Sequence, residues 1–359
     1  AGKTLSSAAA LMLVSIIVVG GDFCQFPWDF LLIEAMFIAL FYPSAKPFWE
    51  SWGARREPSH AALLATHFLL FRFMWAMGVE KLPIVNGEKA WADMTFLQRF
   101  YETEQPLPTA LSWVLTKMPM GFHKVSTLGT WFIELIVPLW IFGSARWQFW
   151  SAVLQAILML AIQLAGNYAT FQVVTVVLMI PLLTDSVFLT AGPADGGEGT
   201  DATGNTEGET AKGRQRMADT LQRYSVAEHT GNAVLLSHAL MGACFLLRIL
   251  EPGGLAYLGN ANWMYDANAE TKMPAALVTT LRALHPWRIV NQYGGIFHDT
   301  FTHEGHVALV FRSSMDGLEW NEHHLKFSIQ NETSFPLFFA PWMPRLDHAA
   351  FYEGTRVQF

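Results

Sequence analysis

Residues 68–104 read FLLFRFMWAMGVEKLPIVNGEKAWADMTFLQRFYETE, and this stretch decides the class of fold. Arg72 lies inside an otherwise apolar run of helix length. An arginine at that depth costs about 2.5–3.5 kcal/mol on insertion scales unless a partner meets it. The run therefore implies several helices packed in a membrane, one of which supplies the partner. The charged and aromatic segment that follows, ending in YETEQPLP, reads as the place where the bundle meets a client or a neighbour.

Composition agrees. Hydrophobic residues make up 52% of the 359 and charged residues 15%, well under the roughly 25% charged of soluble domains. The net charge of −7 is concentrated in a central linker and the C-terminal third, and no basic stripe marks a nucleic-acid surface. Cys24 and Cys244 lie in or beside apolar helices, which reads as buried thiols and not as a disulfide framework.

Runs near the roughly 20 apolar residues that cross a bilayer occur at Leu5–Gly20, Phe30–Tyr42, His60–Val79, Leu128–Phe142, Phe149–Leu164, Phe171–Leu189 and Ala233–Leu250. The first could also pass for a signal-anchor, since no convincing cleavage site follows it. The second is short and carries Glu34. The expected fold is a mainly α membrane bundle of five to seven transmembrane helices, with a small C-terminal β-rich, sandwich-like domain. Residues 1–190 form the bundle with an extramembrane loop at 80–127, 191–225 a flexible Gly/Glu/Thr-rich linker, 226–259 the last membrane helix, and 260–359 the β-rich domain.

Loop charges orient the bundle. If all seven runs cross, Lys3, Lys46, Arg55, Arg56, Arg146, Lys212, Arg214, Arg216 and Arg223 share one side, the better cytosolic one. The 80–127 loop and everything after Glu251 fall on the other. Asn331-Glu332-Thr333 is a glycosylation sequon on that second side. The linker residues 191–219 are too polar to offset their ordering entropy. Strands are expected at Arg288–Tyr293, Val307–Arg312 and Leu325–Ile329, with Asp316-Gly317 as a turn. The proline-rich PLFFAPWMPRLD should lie across the domain or the bilayer interface.

Polar residues inside the apolar runs are Glu34, His67, Arg72, Glu134, Gln155, Gln163, His238 and Arg248. Interhelical pairing, Arg72 with Glu134 or with Glu34, explains them better than a proton path or buried active site. Glu34, Arg72, Glu134 and Arg248 are thus the expected intramembrane pairing set. His298, His303, His306, His323 and His324 lack the spacing of a zinc-protease helix. No nucleophile elbow, P-loop, dinucleotide glycine pattern or Cys-x-x-Cys occurs. No catalytic, metal or cofactor site is expected, and the protein is not expected to be an enzyme. If it were one, Lys81 or Glu80 in a sealed pocket would be the base to test.

Several blocks carry a family resemblance. GDFCQFPWDFLLIEAMFIALFYPS, FLLFRFMWAMGVEKL, WADMTFL, YETEQPLPTALSW, FIELIVPLWIFG, LAGNYATF, PWRIVNQYGGIF, SMDGLEW and FFAPWMPRLD, in this order, resemble the lipase maturation factors. The resemblance covers most of the chain outside the linker, with both ends abbreviated. It implies a multi-pass protein of the endoplasmic reticulum that assists folding and assembly of a client lipase through its lumenal loop and C-terminal domain. It also implies the client-facing or partner-facing positions: Trp91, Tyr101, Glu102, Gln105, Pro106, Leu107, Pro108 and Trp113 in the loop, with Asn291, Tyr293, Asp316, Trp320, Arg345 and Asp347 in the domain. A different use of the same fold stays open, as an accessory subunit of a large organellar complex such as one in the mitochondrial inner membrane. The expected partners are then a client lipase or neighbouring membrane subunits, with membrane lipids around them.

Overall fold

The structure is a computed structural model, and it describes residues 2–24, 26–43, 58–86, 89–183, 210–247, 274–293, 309–328 and 335–356. Its helices in chain order are α1 (Gly2–Gly20), α2 (Pro27–Ala39), α3 (His60–Glu80), α4 (Phe96–Arg99), α5 (Ala110–Thr116), α6 (Met120–Trp131), α7 (Ala145–Ala165), α8 (Phe171–Met179), α9 (Thr210–Leu247), α10 (Ala275–Leu284) and α11 (Arg345–Arg356). Strands β1 (Phe311–Ser313) and β2 (Asn321–His323) pair antiparallel, Phe311 opposite His323.

Helix α3 is the axis. The Ser59 hydroxyl accepts the Ala62 N–H at its start, and apolar side chains run around most of its circumference. A helix that is hydrophobic all round is a buried one, and α3 packs against α2, α8, α9 and the helical run through Phe132–Phe142. Its Leu69, Leu70, Phe73, Met74 and Met77 join Leu31 and Ile38 of α2 and Leu178 of α8 in the main core.

Among the described residues, three helical runs are long and apolar enough to cross a membrane: His60–Glu80, Met120–Phe142 and Ala145–Ala165. Ser7–Gly20 and Phe171–Leu182 are shorter apolar helices, and α2 has 13 residues. Of the five to seven expected spans, the described residues thus hold three of full length. Pro138 and Pro181 tighten their helices into 3₁₀ turns, where a missing N–H cannot continue the α ladder. In the other direction, the helix expected at 128–142 begins at Met120, inside the stretch assigned to the loop. Likewise α9 starts at Thr210, so the last part of the polar stretch 191–219 is helical.

The β-rich sandwich is corrected. Among the described residues the only sheet is the β1–β2 hairpin, and both strands are exposed throughout. Residues 288–293 are a turn and an extended segment, not a strand, and 325–328 form a bend. The apolar Val290 packs on Phe245 and Leu281, and Phe327 on Phe339 and Trp342, instead of on a second sheet. Ile329, Asn331 and Arg248 lie outside the described residues, as do His298, His303 and His306.

Candidate functional site

Two buried ion pairs on α3 organise the bundle, nine residues apart. In the first, Arg72 donates to Glu34 of α2 and to the carbonyl of Asn291. Glu34 has no exposed surface. It also accepts from the Tyr293 hydroxyl at 2.7 Å, from Asn291 Nδ2 at 3.1 Å and from the Asn291 N–H at 3.2 Å. His238 of α9 places Nε2 3.0 Å from Glu34 Oε1 and 3.0 Å from the Ile289 carbonyl. The Arg72 guanidinium stands 5.3 Å from the Tyr293 ring centre. Gly242 of α9 permits this approach, since a Cβ there would meet Arg72 Cζ at 3.0 Å. Between the two alternatives for Arg72, the structure selects Glu34.

The second pair joins Lys81, just past the end of α3, to Glu134. Lys81 Nζ lies 2.8 and 3.0 Å from the two carboxylate oxygens and donates to the Met77 carbonyl at 2.9 Å. Glu134 sits in a π-helical turn, Phe132–Ile136, that follows α6. Such turns recur at functional sites. Gly78 faces it so closely that a Cβ would be 2.8 Å from Glu134 Cβ. Glu134 was expected to meet an arginine; it meets Lys81, which the sequence reading had weighed only as an enzyme base.

The C-terminal part of the chain is clasped to the same bundle at three points. Asn291 and Tyr293 close on Glu34, as above. Arg288, in a left-handed turn with φ 53°, redirects the chain toward that contact. Asn167, between α7 and α8, donates to the carbonyls of Leu107 (3.0 Å) and Leu337 (2.8 Å) and accepts from the N–H groups of Phe339 and Ala340. Its own carbonyl is 2.8 Å from His348 Nε2. Arg345 forms a two-pronged pair with Asp29 at 2.8 and 2.9 Å, and that bond holds the guanidinium's pKa above its usual value. The PLFFAPWMPRLD segment is therefore a strap across the bundle.

The implied partner-facing positions divide into two groups. Trp91 is 0% exposed and stacks on Phe96 with ring centres 4.1 Å apart. Gln105, Pro106 and Leu107 are buried, Pro108 is half-buried and bridges to Gly166, and Gln105 Nε2 donates to the Ala165 carbonyl. Tyr101 is half-buried, and burial pushes its phenol up to about 12. Asp347 accepts the N–H groups of Phe327 and Ser328. These residues build the fold in this conformation. Glu102 is exposed and accepts from Gln98, while Trp113 and Trp320 are 63% and 60% exposed. Asp316 is exposed too, and its carboxylate takes the N–H groups of Leu318 and Glu319 and the Ser314 hydroxyl, which hold its pKa below the usual range. That turn presents Trp320.

The sequence reading missed Asn167 and His348, and it placed Asn291 and Tyr293 on the client side. Their partners stand 170 or more positions away for Asn167–Leu337 and 257 for Glu34–Asn291, so no local spacing could announce them. The collinear family blocks LAGNYATF and PWRIVNQYGGIF were the one signal that pointed to Asn167, Asn291 and Tyr293.

A helical bundle with three membrane-length helices among the described residues, buried ion pairs and a C-terminal strap defines a multi-pass integral membrane protein. Residues 4–190 match the family described as "Lipase maturation factor transmembrane domain", which is just over half of the chain, and the protein belongs to the lipase maturation factor family. It is 37% identical over 174 residues to lipase maturation factor 2 of Gallus gallus, covering 48% of this chain and 24% of that one. It is 30% identical over 188 residues to lipase maturation factor 1 of Mus musculus, covering 52% and 32%. Against lipase maturation factor 1 of Bos taurus the similarity runs over 99% of this chain and 59% of the relative, at 24% identity. The chain thus spans between a quarter and three-fifths of the length of these relatives. No solved structure matches it.

Proposed function

We propose that the protein assists the folding and assembly of a lipase client at the endoplasmic reticulum membrane, as a folding aid and not a catalyst. The observation that carries this reading is the set of large apolar side chains left exposed on the C-terminal segment. Leu318, Trp320, Phe335, Phe338 and Trp342 are all more than half exposed, and none belongs to a helix long enough to cross a membrane. Exposed apolar surface of this kind marks an interaction site. Trp113 adds a second aromatic anchor from the loop side, with Lys117 Nζ 5.7 Å from its ring centre. Exposed tryptophans are the commonest energetic anchors of protein interfaces. Glu102, Trp113, Asp316 and Trp320 are the proposed contact residues; Trp91, Gln105, Leu107 and Asp347 support them from inside.

This division sets the experiment. Deleting 101–108 would remove buried residues and unfold the bundle, so point substitutions are the cleaner probe. Cells lacking their own lipase maturation factor are complemented with the wild-type chain or with Trp113→Ser/Trp320→Ser. The expected outcome is equal membrane-protein levels and a severalfold loss of secreted lipase activity for the variant. Full secretion with the variant would sink the proposal. Co-migration of the chain in a stable assembly regardless of lipase would favour the accessory-subunit alternative.

A further inference from the structure

The C-terminal end of α7 leaves carbonyls without partners inside the helix, as every helix does, and the segment leading into α5 supplies donors for them. Thr109 Oγ1 donates to the Leu164 carbonyl at 2.7 Å, and Gln105 Nε2 and Ser112 Oγ donate to that of Ala165. Pro108 bridges to Gly166. Asn167 follows at once and has no exposed surface. Its amide meets four backbone groups of fixed polarity. Nδ2 donates to the carbonyls of Leu107 at 3.0 Å and Leu337 at 2.8 Å, and Oδ1 accepts the N–H groups of Phe339 at 3.0 Å and Ala340 at 3.2 Å. Two N–H donors and one oxygen with two lone pairs are all that a side-chain amide has, so the whole of it is used. Leu107 holds φ at 45° there, a left-handed conformation that a residue with a side chain keeps only where its surroundings impose it.

We propose that Asn167 is a positioning residue for client recognition: it sets the loop that carries Trp113 and the strap that carries Phe338 in one fixed arrangement, so that a single client meets both. This rests on the client reading above and adds how the two surfaces are held together. On the loop side, Leu107 stands two residues before Thr109, which caps α5, and Trp113 is one turn into that helix. On the strap side, Asn167 bonds the residues on both sides of Phe338. Phe339 packs on Phe327 with ring centres 4.7 Å apart, while Phe338 is 54% exposed. Anchors that are ordered before binding lose less entropy on burial than free ones. The amide is specific to this task. Aspartate would keep the acceptor and lose both donors, and serine has one donor for two carbonyls.

The test reads the arrangement first and the client second. The full chain is used in mild detergent, with the buried Cys24 and Cys244 replaced by alanine. Spin labels on Val114→Cys and Phe335→Cys report the distance from loop to strap, and labels on Val125→Cys and Ile157→Cys report the bundle; all four sites are exposed. Asn167→Asp should broaden the first distance distribution and leave the second sharp, which a general loss of folding would not do. Asn167→Ser places no charge in the interior, should act in the same way, and serves if the aspartate variant fails to fold. In cells lacking their own lipase maturation factor, either variant at wild-type membrane levels should lose secreted lipase activity severalfold. An unchanged distance from loop to strap, or equal broadening of both label pairs, overturns the proposal. Broadening with full secretion also overturns it. Trp113→Ser/Trp320→Ser, measured alongside, separates the two readings: loss of secretion there leaves the client reading standing without Asn167, and full secretion removes both.

Discussion

Arg72–Glu34 and Lys81–Glu134 are both buried ion pairs on one helix, yet they are built for different work. The first is enclosed by His238, Asn291 and Tyr293, so its carboxylate collects donors from two further chain segments. In the second, Lys81 also donates to the Met77 carbonyl, and both members of the pair line a cavity. The Glu34 carboxylate is the hub of the first cluster, and a hydrogen-bonded polar network in a low-dielectric interior favours one packing arrangement. A pair standing at a cavity wall contributes less to packing and leaves room for a ligand. The bundle thus separates the charge that holds it together from the charge that can meet something else.

The sharpest way to break the comparison is Glu34→Ala. It strands Arg72 without its carboxylate, and removing one partner of a buried pair costs about 3–5 kcal/mol. The expected outcome is loss of folded, monodisperse protein on size-exclusion chromatography in mild detergent. Lys81→Met should cost less, about 2–3 kcal/mol, because Glu134 can take a proton or meet water in the cavity; the thermal midpoint in the same detergent reads it. Gly78→Ala pushes a methyl against the π-turn holding Glu134, and overpacking of this kind costs about 1–3 kcal/mol. The same melt should register it, with the Arg72 site unaffected.

Acid should loosen the first cluster before the second. His285 lies in the 3₁₀ turn before the Arg288–Tyr293 segment, and Arg288 donates to its Nε2. Burial first, and then the neighbouring Arg288 charge, lower its pKa from the ordinary 6.5 to about 4. A folded-state pKa below the unfolded one means the unfolded chain binds the proton first. Stability is therefore complete above pH 6.5 and declines as the pH falls toward 4. A melting series over that window should slope downward, and His285→Gln, which keeps an acceptor toward Arg288, should flatten it. The smallest effect belongs to the exposed anchors: Trp320→Ser should change stability by less than about 0.5 kcal/mol in the same melts, whatever it does to a client.

How much of this was legible beforehand follows from the physics of each signal. Arg72 in an apolar run announced a packed bundle and a buried acidic partner, because charge at that depth demands one. Glu34 was among the two candidates. The choice between them was not legible, since it depends on how α2 and the Phe132–Ile136 turn stand around α3. The span expected from Phe171 was overread because hydropathy does not register where Pro181 tightens that helix. The C-terminal sandwich was expected from short apolar runs such as Arg288–Tyr293 and the Asp316-Gly317 turn, yet Val290 is buried among the α9 and α10 side chains Phe245 and Leu281. A short apolar run reports burial and does not say whether a strand or a helix covers it. The family blocks held the right residues together, and only the fold could tell the strap residues, Asn291, Tyr293 and Asp347, from the exposed Trp113 and Trp320.

The division of labour between the two pairs is tested most directly by removing each of them whole. Thermal midpoints of Glu34→Leu/Arg72→Met and Lys81→Met/Glu134→Leu are measured against the wild type in one detergent. Replacing a buried pair with apolar residues of similar volume is often neutral, and the Lys81–Glu134 double variant should melt close to wild type. The Glu34–Arg72 double variant should stay far below it, because His238, Asn291 and Tyr293 lose the carboxylate that joins them. Equal recovery of the two would contradict the account.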